Sequence, residues 1–310
     1  MRISILAFLL CFVQLGVSQI PVGYYQSAVG YSGDSLKSKL NDIISNHVEF
    51  PYTSSSTDVW DILKQSDKDT ANPNNVLLIY SGWSVDANQE YNSGAGWSRE
   101  HVWAKSRGSF GTSIGPGTDV HAIRPCDISV NSARNNRWFA ECTEEYIDGD
   151  GPTGSYKSST EWIWKPNDKV KGDVARMIFY MATRYEGEGG EPDLEIVDSI
   201  PANSSTNLPI HAKLSDLMRW HQEDTVDDWE RNRNNVIYYN FQQNRNPFID
   251  HPEYAEMIWG HASFLRENER GERQVIKIIN LMGEEVEPSP NRLLIYLYSD
   301  GTVEKRWMVN

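Results

Sequence analysis

The segment between residues 97 and 136 constrains this chain more than any other. It begins with Trp97-Ser98-Arg99-Glu100-His101-Val102-Trp103, continues with Asp119-Val120-His121-Ala122-Ile123-Arg124-Pro125, and ends with Val130-Asn131-Ser132-Ala133-Arg134-Asn135-Asn136. The first two runs read as strands. Residues 108–117 between them are rich in Gly, Ser and Pro and read as a loop. The third reads as a helix capped by Ser129, carrying Asn131, Arg134 and Asn135. Two strands followed directly by a helix predict a mixed α+β chain.

These runs also carry a chemical inventory. A hard cation takes oxygen ligands, and Glu100 and Asn131 supply a carboxylate and an amide carbonyl. A neutral imidazole, His101, can take a proton from an attacking water. Arginines can hold a phosphate and its developing charge. Together the set suits hydrolysis of a phosphodiester at a single metal ion. Successive strand residues project to opposite faces, so Glu100 and His101 need either a bend or bulge, or a metal-bound water that the histidine reaches obliquely. Asn131 has a second reading as a helix-capping residue. His121 either orients a catalytic group or fills the inner face of its strand. Arg124, Arg134 and Arg137 are phosphate-clamp candidates, with structural ion pairing as the alternative for each.

The same residues resemble the endonuclease I family. The resemblance continues through Lys171-Gly172-Asp173-Val174-Ala175-Arg176-Met177-Ile178-Phe179-Tyr180-Met181-Ala182, Trp220-His221-Gln222-Glu223-Asp224 and Arg245-Asn246-Pro247-Phe248-Ile249-Asp250-His251-Pro252-Glu253, so it covers about residues 50 to 260. It implies a ββα-metal (His-Me finger) core surrounded by helices and non-specific cleavage of DNA or RNA. His101 would be the general base, with Arg124 and His121 assisting catalysis. Glu100 and Asn131 would be the metal ligands, and Arg99, Arg134 and Arg137 would bind substrate. The cation would be Mg²⁺, with Ca²⁺ or Mn²⁺ as alternatives. Where the family often has Asn or His, this chain has Ala122, so a polar contact there is lost.

The net charge of −14 argues against nucleic-acid binding by overall attraction. Its distribution argues differently. Arg99, Lys105, Arg107, Arg124, Arg134 and Arg137 lie in or beside the motif, while acidic residues crowd 186–195 and 284–287. A locally basic cleft on an acidic body is the expectation. Many acidic and aromatic residues admit a secreted glycoside hydrolase as rival, but no motif nominates its two facing carboxylates. A non-catalytic nucleic-acid or glycan binder would not need the Glu100-His101 pair, and both residues are present.

Residues 1–18 read as a signal peptide: Arg2, an apolar run over 5–13 too short to span a bilayer, then Gly16, Val17 and Ser18. No other run is long and apolar enough for a membrane span, so export is expected. Cys11 would leave with the signal, and Cys126 and Cys142 would be the only possible pair, on a route that permits a disulfide. A continuous helix between them would hold the sulfurs too far apart, so the spacing leaves the bridge open.

Helical spacing predicts helices near 35–44, 59–63, 170–185, 214–221 and 226–239, the last capped by Thr225 with Asp228. Residues 76–80 read as a buried strand and 148–159 as an exposed turn region. Residues 19–265 are assigned to the catalytic domain. A linker and β-rich segment, 266–310, follows, with an Asp300-Gly301 hairpin turn. Ile279-Asn280-Leu281-Met282-Gly283 and residues 298–305 resemble the C-terminal sorting domain of type IX secretion, which implies secretion machinery as a partner. The remaining expectations are a DNA or RNA substrate and a monomer.

Overall fold

The computed structural model describes residues 20–201, 206–260, 275–298 and 303–308; the expected signal peptide and the linker 266–273 lie outside them. In chain order the helices are α1 (Gly33–Ile44), α2 (Val59–Ser66), α3 (Ile128–Arg134), α4 (Lys171–Arg184), α5 (Leu214–Glu223), α6 (Asp228–Ile237), α7 (Pro247–Asp250) and α8 (Glu253–Ala255). The strands are β1 (Asn75–Leu77), β2 (Ser84–Asp86), β3 (Trp97–His101), β4 (Ile123–Asp127), β5 (Trp138–Phe139), β6 (Glu145–Asp148), β7 (Gly151–Lys157), β8 (Ile163–Lys165), β9 (Glu195–Val197), β10 (Ile210–Lys213), β11 (Val275–Ile279), β12 (Arg292–Tyr298) and β13 (Val303–Met308). The class is mixed α+β. No described helix is long and apolar enough to cross a membrane.

Helix α4 is the axle. Its apolar stripe of Val174, Met177, Ile178 and Met181 sits in the core, but the helix is buried on every side. Such burial demands that its charged residues find partners. They do: Arg176 Nη2 meets Glu230 Oε2 at 2.6 Å, Lys171 Nζ meets Glu223 Oε2 at 2.6 Å, and Arg184 Nη1 meets Glu191 Oε2 at 2.8 Å. Helices α1 and α5 pack against α4.

The antiparallel pair β3–β4 lies between two apolar cores. Trp97 and Ile123 belong to one, with Val59, Ile62 and Ile237 from α2 and α6. Cys126 and Val130 belong to the other, with Val102, Phe139 and α4 residues. Directly opposed residues run from Trp97↔Asp127 to His101↔Ile123 without a break in register. Alternation therefore sends Trp97, Arg99 and His101 to one face and Ser98 and Glu100 to the other. Helix α3 follows β4 immediately because Asp127 accepts hydrogen bonds from the Ser129 and Val130 N–H groups. It ends at Asn135, where φ turns positive at 53° and the N–H reaches the Asn131 carbonyl at 2.8 Å.

Several sequence readings shift. The cap of α3 is Asp127, not Ser129, and Asn135 terminates the helix. The second finger strand starts at Ile123, because Val120–Ala122 forms a 3₁₀ turn whose Asp119 side chain accepts the His121 N–H. The strand read over 76–80 stops at Leu77, and Tyr80 takes a positive φ of 74°. Helix α6 is capped by Asp227, which accepts the Glu230 N–H, rather than by Thr225. Residues 151–157 are a strand, not a turn, in the sheet β5-β8-β7-β6. In the tail, β12 lies centrally between β11 and β13. Cys126 and Cys142 are both free thiols.

Candidate active site

Face by face, the β3–α3 contact builds one half of the site. Asn131 Nδ2 donates to Ser98 Oγ at 3.0 Å, which turns its carbonyl Oδ1 away from that bond. One turn further along α3, Arg134 Nη1 lies 3.1 Å from Glu100 Oε1. Ser98 and Glu100 share a strand face, and Asn131 and Arg134 share a helix face. Glu100 and Asn131 thus line the same β3–α3 seam. The Tyr80 hydroxyl donates to Glu100 Oε1 at 2.7 Å. Both contacts fall on Oε1, so Oε2 is left for another partner. Burial pushes the Glu100 carboxyl above its ordinary range, opposed by the Arg134 charge and the Tyr80 hydrogen bond. Two oxygen donors in one half-polar seam fit a hard cation.

His101 closes β3 on the opposite face. Its Nε2 lies 2.9 Å from the Gly117 carbonyl. A carbonyl only accepts, so Nε2 carries the proton and Nδ1 carries the lone pair. The ring stacks on Tyr52 at 5.5 Å between centroids. Burial holds the imidazole pKa down at about 3, with Lys105, Arg99 and Arg134 pushing the same way against the Gly117 bond. The imidazole is neutral at ordinary pH. The unbroken register excludes a bulge between Glu100 and His101.

The arginines are mostly spoken for. Arg134 is buried and donates to the backbone carbonyls of His101 at 3.1 Å and Val102 at 2.5 Å, and its Nη2 lies 2.9 Å from His211 Nε2. Sequence placed it on the substrate; the structure places it behind Glu100 instead. Arg124 stands opposite Glu100 but pairs with Asp67 at 2.5 Å and Asp173 at 3.3 Å, with Trp229 below its guanidinium. A buried cation with two carboxylates is an ion-pair anchor rather than a phosphate clamp. Arg107 donates to the Thr206 and Asn136 carbonyls.

Arg99 and Arg137 stay half-buried. The first is stacked between Tyr52 (3.3 Å) and Trp60 (4.1 Å) and donates to the Tyr52 carbonyl and Thr53 Oγ1. The second lies 3.9 Å over Trp162 and donates to the carbonyls of Ala133, Ser158 and Glu161. Lys105, half-buried beside Tyr52, adds a cation near His101. The basic cleft is smaller than the list of arginines implied, because burial commits most of them to carbonyls and carboxylates.

His121 is not beside the pair. Its Nε2 lies 3.1 Å from the Asn244 carbonyl and its ring 4.7 Å from Tyr180, within a buried network around Asp119. Burial lowers its pKa to about 4 against the pull of Asp119. Of its two sequence readings, the packing role is the one the contacts match. His221 is engaged at both nitrogens, by Arg176 and the Pro252 carbonyl. Sequence reasoning missed Tyr80 and His211. Sequence reads Tyr80 as the last residue of a buried strand, before Ser81-Gly82, and nothing local marks its hydroxyl.

Among the described residues, two groups of three carboxylates also come together. Glu186, Asp193 and Glu195 are met by Lys37 and by Lys305 of the tail, the latter 3.3 Å from Glu195. Asp127, Asp148 and Asp150 sit at the start of α3, bridged by Ser129 Oγ between Asp127 and Asp148.

The family model for endonuclease I matches residues 32–253. The chain belongs to the endonuclease I family. It is 51% identical over 236 residues to the "Extracellular ribonuclease" of Bacillus subtilis (strain 168), covering 76% of this chain and 78% of that protein. It is 50% identical over 236 residues to the "Extracellular ribonuclease" of Bacillus amyloliquefaciens, with the same coverage of 76% and 78%.

Proposed function

We propose that this endonuclease I family member is a secreted, divalent-metal-dependent, non-specific endonuclease that hydrolyses phosphodiester bonds of RNA, DNA or both. One observation carries the reading. Where β3 meets α3, Glu100 and Asn131 each leave an oxygen uncommitted in one seam, while His101 on the other face of β3 gives its only ring proton to Gly117. The names of the relatives support RNA as a substrate and an extracellular site of action.

His101 Nδ1 takes the proton of the attacking water, and the Nε2–H bond to Gly117 keeps that tautomer and ring orientation throughout. Glu100 Oε2 and Asn131 Oδ1 would hold the cation, Mg²⁺ first and Ca²⁺ or Mn²⁺ as alternatives. Bound there, it would supply charge stabilisation for the phosphate and the departing 3′ oxygen. Lys105, Arg99 and Arg137 are the cations placed to meet phosphates along the strand; Arg134 acts from behind. Cleavage at the 3′ oxygen gives products with 5′ phosphates.

Residues 19–265 form the catalytic unit, and the separately paired sheet β11–β13 serves as an address for secretion machinery. The enzyme acts as a monomer. Digestion of RNA and plasmid DNA with Mg²⁺ and with EDTA tests the proposal. Cleavage should require the metal. Equal cleavage in EDTA would refute it.

A further inference from the structure

We infer that Tyr80, with Arg134, confines Glu100 to ligation through a single oxygen and so biases the site toward a small octahedral cation over calcium. The inference rests on the proposed ligand role of Glu100 and deepens it.

Tyr80 Oη donates to Oε1 at 2.7 Å and Arg134 Nη1 lies 3.1 Å from the same atom. Oε1 therefore already accepts the Tyr80 hydrogen bond and faces the Arg134 charge, and a bidentate grip on a cation would have to break that bond in a buried setting, where its loss is costly. Calcium accepts carboxylates in either mode and takes six to eight ligands in flexible geometry. Magnesium keeps several waters in near-ideal octahedral geometry and needs only one oxygen from the carboxylate. A carboxylate limited to one oxygen thus removes an option that only the larger ion uses.

Tyr80 is held for this task. Its backbone sits at φ 74°, a conformation unusual for an aromatic residue. Its carbonyl accepts the Ser155 hydroxyl at 2.8 Å, and its ring packs on Trp164 and Phe139. Ordinary core packing of a tyrosine requires neither the positive φ nor a hydroxyl aimed at a carboxylate. Strain of this kind persists where surrounding structure over-determines it, and often beside functional groups. Arg134 is fixed in turn by the His101 and Val102 carbonyls and by His211.

The test is metal binding, read apart from cleavage. Calorimetric titration of the full-length protein with Mg²⁺ and with Ca²⁺ gives the ratio of the two affinities. Tyr80→Phe removes one hydroxyl and keeps the ring. It should move that ratio toward calcium by roughly tenfold, the scale of one hydrogen bond to a charged group. An unchanged ratio in the folded variant overturns the inference. Glu100→Gln separates the two layers: if it leaves metal affinity intact, the ligand assignment itself fails and the inference falls with it. If Glu100→Gln weakens binding while Tyr80→Phe leaves the ratio unmoved, only the clamp is wrong. Infrared difference spectra of the wild type, with Glu100→Gln as reference, need no foldable Tyr80 variant. A widened splitting of the Glu100 carboxylate stretches on adding Mg²⁺ indicates one-oxygen ligation, and a narrowed splitting contradicts it.

Discussion

At the scale of single residues, groups that act are distinct from groups that hold them. His101→Ala should lower cleavage by about 10²–10⁴-fold, the usual contribution of a positioned general base. The variant should melt close to the wild-type temperature, because the lost contacts are one carbonyl bond and one ring stack. Wild-type rates in a folded His101→Ala protein would remove it from the mechanism. Asn131→Ala should raise the Mg²⁺ concentration for half-maximal cleavage by roughly tenfold, the scale of one lost polar contact to a charged partner; an unmoved titration would return Asn131 to a structural role. Glu100, His101 and Asn131 are nominated by sequence because their chemistry is local, and the fold brings Asn131 to the β3 face that carries Ser98 and Glu100. The fates of Arg124 and Arg134 were not legible there, because their partners Asp67, Asp173 and the Val102 carbonyl come from elsewhere in the fold.

At the scale of elements, α3 is short and depends on its start. Asp127 accepts the Ser129 and Val130 N–H groups and the Ser129 hydroxyl. Asp127→Ala should therefore cost about 1 kcal/mol of stability, as for other lost N-caps. It should also weaken metal binding, since Asn131 rides on the first turns of that helix; a variant less stable but with unaltered Mg²⁺ affinity would contradict the coupling. Periodicity located α1, α2, α4 and α5 well because their apolar faces repeat. It misplaced the end of β1 because Tyr80 is fixed by a tertiary bond to Glu100, and the start of β4 because the local Asp119 cap on the His121 N–H turns Val120–Ala122 into a 3₁₀ turn that the apolar pattern masks. The strand at 151–157 was hidden by its Gly, Pro and Thr content, which reads as turn until β6 and β8 pair with it.

At the scale of the whole molecule, burial of charge around α4 ties the helices together. Arg176 grips Glu230 through Nε at 2.7 Å and Nη2 at 2.6 Å. Glu230→Ala leaves a buried guanidinium without its carboxylate and should cost about 3–5 kcal/mol in denaturant unfolding. A loss under 1 kcal/mol would show the pair to be dispensable. Acid sensitivity follows from His121. Its folded-state pKa of about 4 lies below the unfolded value of about 6.5. The unfolded chain then binds the extra proton between those values, so this contribution is complete above about pH 6.5 and is lost as pH falls toward 4. The difference in melting temperature between wild type and His121→Gln should shrink from pH 7 to pH 5; a constant difference would contradict neutral burial.

The central claim is the location of the cation, and anomalous diffraction from crystals soaked in Mn²⁺ reads it directly. The account predicts one strong peak at about 2.1 Å from Glu100 Oε2 and Asn131 Oδ1, a bond length expected of a small octahedral ion. A peak instead among Asp127, Asp148 and Asp150, with the Glu100–Asn131 seam empty, would contradict it.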